Sequence, residues 1–388
     1  MLEPSELTSH PERTRLRDAL WALLDRAEAG PHVSLEAERD ALLAEIARLQ
    51  AEHVTPFARL CAARGARFDR GPDGWPALPT DVHRHARVSL FAEGHDLRVF
   101  RTSGTTHGAR GEHPFVDLAL YHRAAMIGAR HAFLPGGPFD LLVLAADPSR
   151  QPDSSLGHMI GLFADEARSR DPEARVAFVL DGDHIDTAAI ARAIDAANLR
   201  ARTLVVCGTS FAFVFAEDVF AEDVPARRFT LPPGSRVMYT GGFKGRSRVL
   251  DEDELRGVIG ARFGVPDDHL VTEYGMTELS SQLWSRERVV RSPGAARDGL
   301  LWIPPWLRVT PVDPVSLEPV AQGERGILRF DDAANLDSCV SIQTADVGLL
   351  VRTTEGVPAL RLFGRDPTAV PRGCSLAIEE ALSRGSSL

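Results

Sequence analysis

Lysine is almost missing from this chain. Of its 44 basic residues, one, Lys244, is a lysine and the rest are arginine. An ammonium is a compact point charge and a guanidinium a planar fork, so the position that keeps lysine stands out against an arginine-rich background. Cysteine is scarce too. Cys61, Cys207, Cys339 and Cys374 lie far apart without a Cys-x-x-Cys pair, which excludes a zinc ribbon and a disulfide framework. No stretch reaches the ~20 apolar residues that span a bilayer. The net charge is −10 with no basic stripe, which argues against nucleic acid as a main partner. Neither a Gly-Lys-Ser/Thr ending nor a Gly-x-Ser-x-Gly elbow occurs, so a Walker A loop and a serine-hydrolase nucleophile are both excluded. The first residues, Met-Leu-Glu-Pro-Ser-Glu-Leu, are acidic and carry no secretory pattern. These absences predict a cytoplasmic protein without a membrane span.

What is present is ordinary globular material: 388 residues, 44% hydrophobic and 25% charged. Leu16, Leu20, Leu23, Leu24 and Ala27 recur at helical spacing over 12–29, and Leu35, Leu42, Ile46 and Leu49 over 34–50. Residues 62–80, rich in Gly, Pro and Arg, read as a connecting loop. Val88–Phe91 and 97–100 read as short strands, and 117–131 as a helix. Then apolar runs alternate with helical stretches. Strands are expected at 141–144, 176–180, 203–207, 235–240 and 269–273, with helices at 153–169, 186–198 and 251–263. This alternation predicts an α/β body with parallel strands. From Leu300 onward the pattern shortens, turns β-rich and is broken by prolines, with Thr344-Ala345-Asp346 as a turn entering a strand. The expected divisions are a helical N-terminal flank (1–80), an α/β nucleotide-binding core (81–300), a β-rich subdomain (301–365) and a short tail (366–388) carrying Cys374.

The chemistry concentrates in loops. Residues 101–111, Arg-Thr-Ser-Gly-Thr-Thr-His-Gly-Ala-Arg-Gly, alternate hydroxyls and glycines, with Arg110 near the end. Successive N–H groups of such a loop can wrap a polyphosphate while an arginine neutralises it. A solvated Ser/Thr/Gly turn has the same composition. Several predicted strands also run into Gly- and Thr-bearing turns at their carboxyl ends, the edge where open α/β sheets bind ligands. The histidines, His107, His113, His131, His158 and His184 among them, form no metal-spaced pair; His107 lies inside the 101–111 loop, where it could contact a phosphate, and most of the others read as surface or hydrogen-bonded core groups.

Taken together, four segments resemble the adenylate-forming superfamily of acyl-CoA synthetases, peptide-synthetase adenylation domains and luciferases. Thr102-Ser103-Gly104-Thr105-Thr106-His107-Gly108-Ala109-Arg110 resembles its phosphate loop, with His107 where Ser or Gly is expected. Tyr274-Gly275-Met276-Thr277-Glu278 resembles its adenine and magnesium motif. Thr344-Ala345-Asp346 resembles its Thr-Gly-Asp, and Gly364-Arg365-Asp366 with Arg372-Gly373 its hinge. Within the superfamily the likeness is to the acyl-protein synthetases of the bacterial bioluminescence aldehyde pathway. It is carried by Ser154-Ser155-Leu156…Met159, Gly241-Gly242-Phe243-Lys244-Gly245, the Tyr274 motif and Arg372-Gly373-Cys374-Ser375.

The resemblance implies a fold: an adenylate-forming large domain with parallel-rich sheets flanked by helices and a small β-rich C-terminal portion, without the usual C-terminal domain. It also implies ATP and Mg²⁺ as cofactors. The substrate would be a fatty or other carboxylic acid, and a protein such as a reductase would accept the acyl group. Thr102, Ser103, Gly104, Thr105, Thr106 and Arg110 would hold phosphates. Tyr274 would stack on adenine, with Gly241, Gly242, Phe243 and Gly275 lining its site. Thr277 would bond the α-phosphate, Asp346 the ribose, and Glu278 would hold Mg²⁺, a hard cation that prefers oxygen ligands. The superfamily's catalytic lysine sits in a C-terminal domain of about a hundred residues. The stretch after Arg365 is far shorter and contains no lysine. Lys244, Arg110 or Arg365 is expected to supply that charge, and Cys374 to accept the acyl group. Two rival readings stay open here: a phenylacetate-type acyl-CoA ligase, and a nucleotide- or acyl-adenylate-binding protein without turnover.

Overall fold

The computed structural model describes residues 10–30, 34–103, 109–182, 184–224, 226–241, 250–289, 298–353, 356–365 and 372–382, apart from the side chains of residues 287 and 372–374. The chain opens with helices α1 (Pro11–Glu28), α2 (Glu36–His53) and α3 (Thr55–Arg64). Strand β1 (Leu78–Pro79), a 3-10 turn at Thr80–Arg84, the hairpin β2 (Arg98–Arg101) and β3 (Glu112–Phe115), and helix α4 (Ala119–Ala132) follow. Next come β4 (Asp140–Leu144), α5 (Ser155–Arg170), β5 (Val176–Phe178), β6 (Leu180–Asp181), β7 (His184–Ile185), α6 (Thr187–Leu199), β8 (Leu204–Thr209), α7 (Ser210–Asp223), β9 (Arg236–Thr240), α8 (Glu252–Phe263), β10 (Leu270–Tyr274), β11 (Leu283–Ser285) and α9 (Arg286–Val289). The chain finishes with β12 (Leu301–Trp302), β13 (Leu307–Val312), β14 (Gly326–Asp332), β15 (Ser341–Arg352), β16 (Pro358–Arg365) and α10 (Arg372–Leu382). These elements form two compact units: residues 1–127, 276–282 and 299–388, and residues 128–275 with 283–298.

The second unit is the α/β body expected from the alternation. Its strands run in the order β11-β10-β9-β8-β4-β5, parallel from β10 to β5, with β11 antiparallel at one side. Leu142, Leu144, Val206 and Val237 are fully buried beneath Ile190, Ile194, Phe213 and Ile259 of the flanking helices. The helices begin where short polar side chains can take their orphan N–H groups. Ser154 accepts from Gly157 N–H, Asp186 from Ala189 N–H and Thr209 from Ala212 N–H, and Asp251 with Glu254 forms a full capping box. The apolar run 211–215 is helical, inside α7, with Phe211 and Phe215 stacked one turn apart at 5.8 Å. Chain order reverses between β4 and β8, the topological switch of this sheet.

The first unit carries the β-rich part. Strands β13-β14-β15-β16-β12 pair antiparallel in that order where registers are described, and β1 adds to β15 in parallel. Buried polar groups fasten the N-terminal helices to it. Arg13 grips Asp337 through two bonds of 2.7 and 2.6 Å, and Gln50 Oε1 accepts from Val340 N–H at 2.7 Å. Trp75 Nε1–H donates to Ser341 Oγ at 2.7 Å.

Two expected elements differ. Val88–Phe91 is buried but forms no strand. Its main chain is held otherwise: Ser89 Oγ accepts from Phe91 N–H, Leu90 N–H donates to Asp337 O, and Arg87 donates to the carbonyls of Phe91 and Ala92. Thr344-Ala345-Asp346 lies inside the continuous strand β15 rather than in a turn before it. The turn signal was real at short range, since Thr344 Oγ1 accepts from Asp346 N–H at 3.1 Å, but the pairing of Asp346 with Arg365 carries the strand through.

Candidate active site

In the first unit the hairpin β2–β3 flanks residues 102–111, the segment that resembles a phosphate loop. Its register runs from Arg98 opposite Phe115 to Arg101 opposite Glu112, and the last pair is bridged at 2.8 Å. Thr102 closes the loop's base twice: its N–H donates to Gly111 O and its hydroxyl accepts from Gly111 N–H, both at 2.9 Å. Arg110 donates to the carbonyls of Thr102 and Arg101 at 2.6 and 3.1 Å. Its guanidinium therefore braces the mouth of the loop as well as charging it. Ser103 is exposed beside it. Gly104, Thr105 and Thr106, with His107 and Gly108, lie outside the described residues.

Thr277 and Glu278 sit in an irregular segment whose main chain is held by side chains. His113 of β3 bonds the Thr277 carbonyl at 2.8 Å, and Asn335 Nδ2–H donates to the Glu278 carbonyl at 2.9 Å. Asp332 accepts from the N–H groups of Ser280 and Ser281 and from the Ser281 hydroxyl. The Glu278 side chain is 7% exposed. Burial pushes its carboxyl up to about 7, while its own backbone N–H and the cations Arg365 and Arg84 pull it down and Asp81 pushes it up. No other side chain hydrogen-bonds that carboxylate among the described residues. A buried carboxylate without a side-chain hydrogen-bond partner is a fitting ligand for a divalent cation, and Mg²⁺ takes one or two carboxylates together with phosphate oxygens. No cluster of three or more metal-ligating side chains exists among the described residues.

Asp346 and Arg365 face each other on β15 and β16, with Nε 3.3 Å from Oδ1. Asp346 is largely covered and Arg365 mostly exposed, at 16% and 68%. Gly364 has φ +81°, which turns the end of β16 just before Arg365. Helix α10 lies against α3, β1 and the turn Thr80–Arg84. It is pinned by buried Ala377 and Ala381 and by the Arg64–Glu380 ion pair at 2.5 Å. Cys374 occupies the third position of α10, and its thiol lies outside the described side chains. The described cysteines are poor nucleophiles: all are buried, and burial pushes the Cys61 thiol up to about 12 and those of Cys207 and Cys339 higher.

In the second unit Thr209, Gly241 and Gly275 fall at the carboxyl ends of β8, β9 and β10. Gly241 has φ +71°, a left-handed turn open to a glycine. Ser210 Oγ–H donates to its carbonyl at 2.7 Å, and the Thr240 hydroxyl bonds Glu273. Burial raises the Glu273 carboxyl to about 7. Tyr274 is half-buried. Gly242, Phe243 and Lys244 lie outside the described residues.

The sequence reading missed Glu273, Arg84, Asp332 and Asn335. None sits in a motif; each acts on another segment, and spacing along the chain carries no sign of that. Ser210 follows β8 in one of the Gly- and Thr-bearing stretches expected at the ligand-binding edge. His113 was read as a surface or hydrogen-bonded core group, and it is the latter.

Among known proteins, the family model described as Acyl-protein synthetase, LuxE matches residues 184–383. The long-chain-fatty-acid–luciferin-component ligase of Vibrio harveyi is 24% identical over 215 residues, 53% of each chain. Its Aliivibrio fischeri counterpart is 30% identical over 86 residues, 21% of this chain and 23% of that one. The chain thus spans about half or less of the curated relatives it matches. A solved 2-hydroxyisobutyryl-CoA ligase, in an open conformation with 2-HIB-AMP and CoA, superposes with a TM-score of 0.59 at 17% identity, covering 85% of this chain and 70% of that one. The same enzyme in its thioesterification state gives 0.59 at 18% identity, covering 85% and 68%. At these identities the likeness establishes the fold, the α/β architecture of adenylate-forming ligases.

Proposed function

The chain belongs to the acyl-protein synthetase (LuxE) family, and from that premise we propose that it activates a fatty or related carboxylic acid with ATP and passes the acyl group to a cysteine thiol. In the first half-reaction the acid's carboxylate attacks the α-phosphate of ATP, giving acyl-adenylate and pyrophosphate. In the second a thiolate attacks the adenylate carbonyl, forming a thioester and releasing AMP.

One observation carries this reading: Arg365 lies 3.3 Å from Asp346, and its charge also acts on the buried carboxylate of Glu278. A ribose-class acceptor, a cation and a metal-class ligand thus belong to one neighbourhood of the first unit. Asp346 accepts from ribose hydroxyls while Arg365 holds it in place and offers positive charge to the phosphates. Thr277 bonds the α-phosphate. A magnesium ion on Glu278 would offset charge on the phosphate oxygens. Thr102, Ser103, Gly104, Thr105 and Thr106 wrap the phosphates, with Arg110 bracing the loop. In the second unit the family resemblance assigns Gly241, Gly242, Phe243, Tyr274 and Gly275 to adenine, and Lys244 to the compact charge needed for adenylation. Charge build-up on phosphate oxygens makes electrostatic positioning the main source of rate. Cys374, in the first turn of α10, receives the acyl group; helix N-termini favour the thiolate. A second protein such as a reductase then takes the thioester.

ATP–pyrophosphate exchange with a panel of fatty and shorter acids tests the first step. Hydroxylamine-sensitive labelling by radiolabelled acid tests the second, and added CoA shows whether acyl-CoA forms instead. Exchange with no acid at any chain length would remove the proposal.

A further inference from the structure

Two buried imidazoles stand at the base of the β2–β3 hairpin. His83 and His113 are 2% and 1% exposed, with ring centroids 6.0 Å apart. Each faces a main-chain carbonyl through Nδ1: His83 faces Glu112 O at 3.0 Å, and His113 faces Thr277 O at 2.8 Å. A carbonyl only accepts, so both rings carry their proton on Nδ1. The second nitrogens differ. His113 Nε2 accepts from Ser338 Oγ–H at 2.8 Å, while His83 Nε2 is buried without a hydrogen-bond partner. Burial depresses both rings, to about 4 and about 3, so both are neutral at physiological pH.

The segment 276–282 has neither helix nor strand to fix it. Asn335 and Asp332 hold its later residues from the β14–β15 side. Among the described residues, His113 is the side chain from the hairpin that holds it. His113 also pairs with Phe100 across the hairpin, whose next rungs lead to Arg101–Glu112 and to the Thr102–Gly111 closure. One ring therefore joins the root of the phosphate-loop segment to the carbonyl immediately before Glu278.

We propose that His113 is a positioning residue for adenylation: its Nδ1–H bond to Thr277 O sets the distance between the phosphate-loop hairpin and the Thr277–Glu278 pair. The proposal rests on the adenylation reading above and adds the group that keeps its two phosphate-facing segments in register. His83 does the same work one segment back, tying the turn Thr80–Arg84 to β3.

The test separates the two nitrogens of His113. In H113N the amide N–H falls near the place of Nδ1 and can still reach Thr277 O. In H113Q it falls near Nε2 and leaves that carbonyl bare. Both variants lose ring volume, so a purely structural role makes them alike. ATP–pyrophosphate exchange is measured with kcat and the KM for MgATP resolved, beside thermal melting of the same samples. The expected result is a fall in kcat/KM for MgATP of roughly tenfold or more in H113Q, as a misplacement of about 1 Å produces. H113N should retain at least a third of the wild-type value, and the KM for the acid should be unmoved in both. Equal losses in the two variants, tracking their melting temperatures, overturn the proposal, as does wild-type kinetics in H113Q. If H113Q does not fold, H113N decides alone: a tenfold loss overturns, retention supports. Wild-type protein that exchanges with no acid overturns the adenylation reading itself, and this inference with it.

Discussion

Arg365 stands directly across the β15–β16 ladder from Asp346, with its guanidinium 3.3 Å from the carboxylate. With the Arg365 side chain mostly in water, the pair adds little to stability, roughly 0–1 kcal/mol. Its value lies in where it holds two groups. R365A is expected to lower ATP–pyrophosphate exchange by roughly 10–100-fold, the scale of losing one preorganised electrostatic contact, with melting within a few degrees of wild type. Unchanged exchange would take Arg365 out of the site.

Glu278 should show the opposite balance. Burial raises its folded carboxyl to about 7, above its ordinary value of 4.5. A raised carboxyl favours the folded state below its unfolded pKa and loses that advantage as pH rises through the folded value, so the penalty grows from about pH 4.5 to about 7. E278Q is therefore expected to be more stable than wild type at pH 8 without nucleotide, by about 3 kcal/mol, with the difference closing toward pH 5. The same substitution should cost at least a hundredfold in exchange. Urea unfolding across that pH range, beside exchange assays, checks both.

A magnesium ion held by Glu278 would compete with a proton for the same oxygen. Below pH 7 the Mg²⁺ concentration for half-maximal exchange should climb, by roughly tenfold for each pH unit. A flat magnesium requirement from pH 6 to 8 would mean that Glu278 is not a metal ligand.

Lys244 and Cys374 should separate the two half-reactions. K244A is expected to slow acyl-adenylate formation by 100-fold or more, and K244R to recover little of it because a fork does not replace a point charge. C374S should keep exchange while losing the hydroxylamine-sensitive acyl label. A labelled C374S protein would place the acceptor elsewhere.

Asp332 anchors the segment just after Glu278. It is fully buried, is raised to about 6 by burial, and accepts from Ser280, Ser281 and Ala334. D332A would leave those donors bare at a cost of about 3 kcal/mol, read by urea unfolding, with exchange falling as Glu278 loses its footing.

Local signals were legible wherever structure is locally decided. The strands 141–144 and 203–207 and the helices begun by Ser154, Asp186 and Asp251 follow from apolar runs and capping residues alone. The α/β architecture followed from the alternation of apolar runs with helical stretches, and the family from motifs read in order. What stayed hidden depends on distant partners. Val88–Phe91 has a strand's composition, but Arg87 and Asp337 claim its main chain. Thr344-Ala345-Asp346 has a turn's composition, but β16 extends it. The bonds that set Thr277 and Glu278 come from His113, Asn335 and Asp332, which no spacing rule connects to them.

The first unit is discontinuous: residues 1–127 complete it only with 276–282 and 299–388. As the chain leaves the ribosome, α1–α3 emerge long before Asp337, Val340 and Ser341, the groups that Arg13, Gln50 and Trp75 need. The second unit's sheet, by contrast, is mostly contained in 128–275. Until those groups arrive, the N-terminal helices, whose Leu16, Leu20, Ile46 and Leu49 are buried in the finished fold, have mainly one another to pack against, the stage at which nascent apolar surface invites chaperones or aggregation.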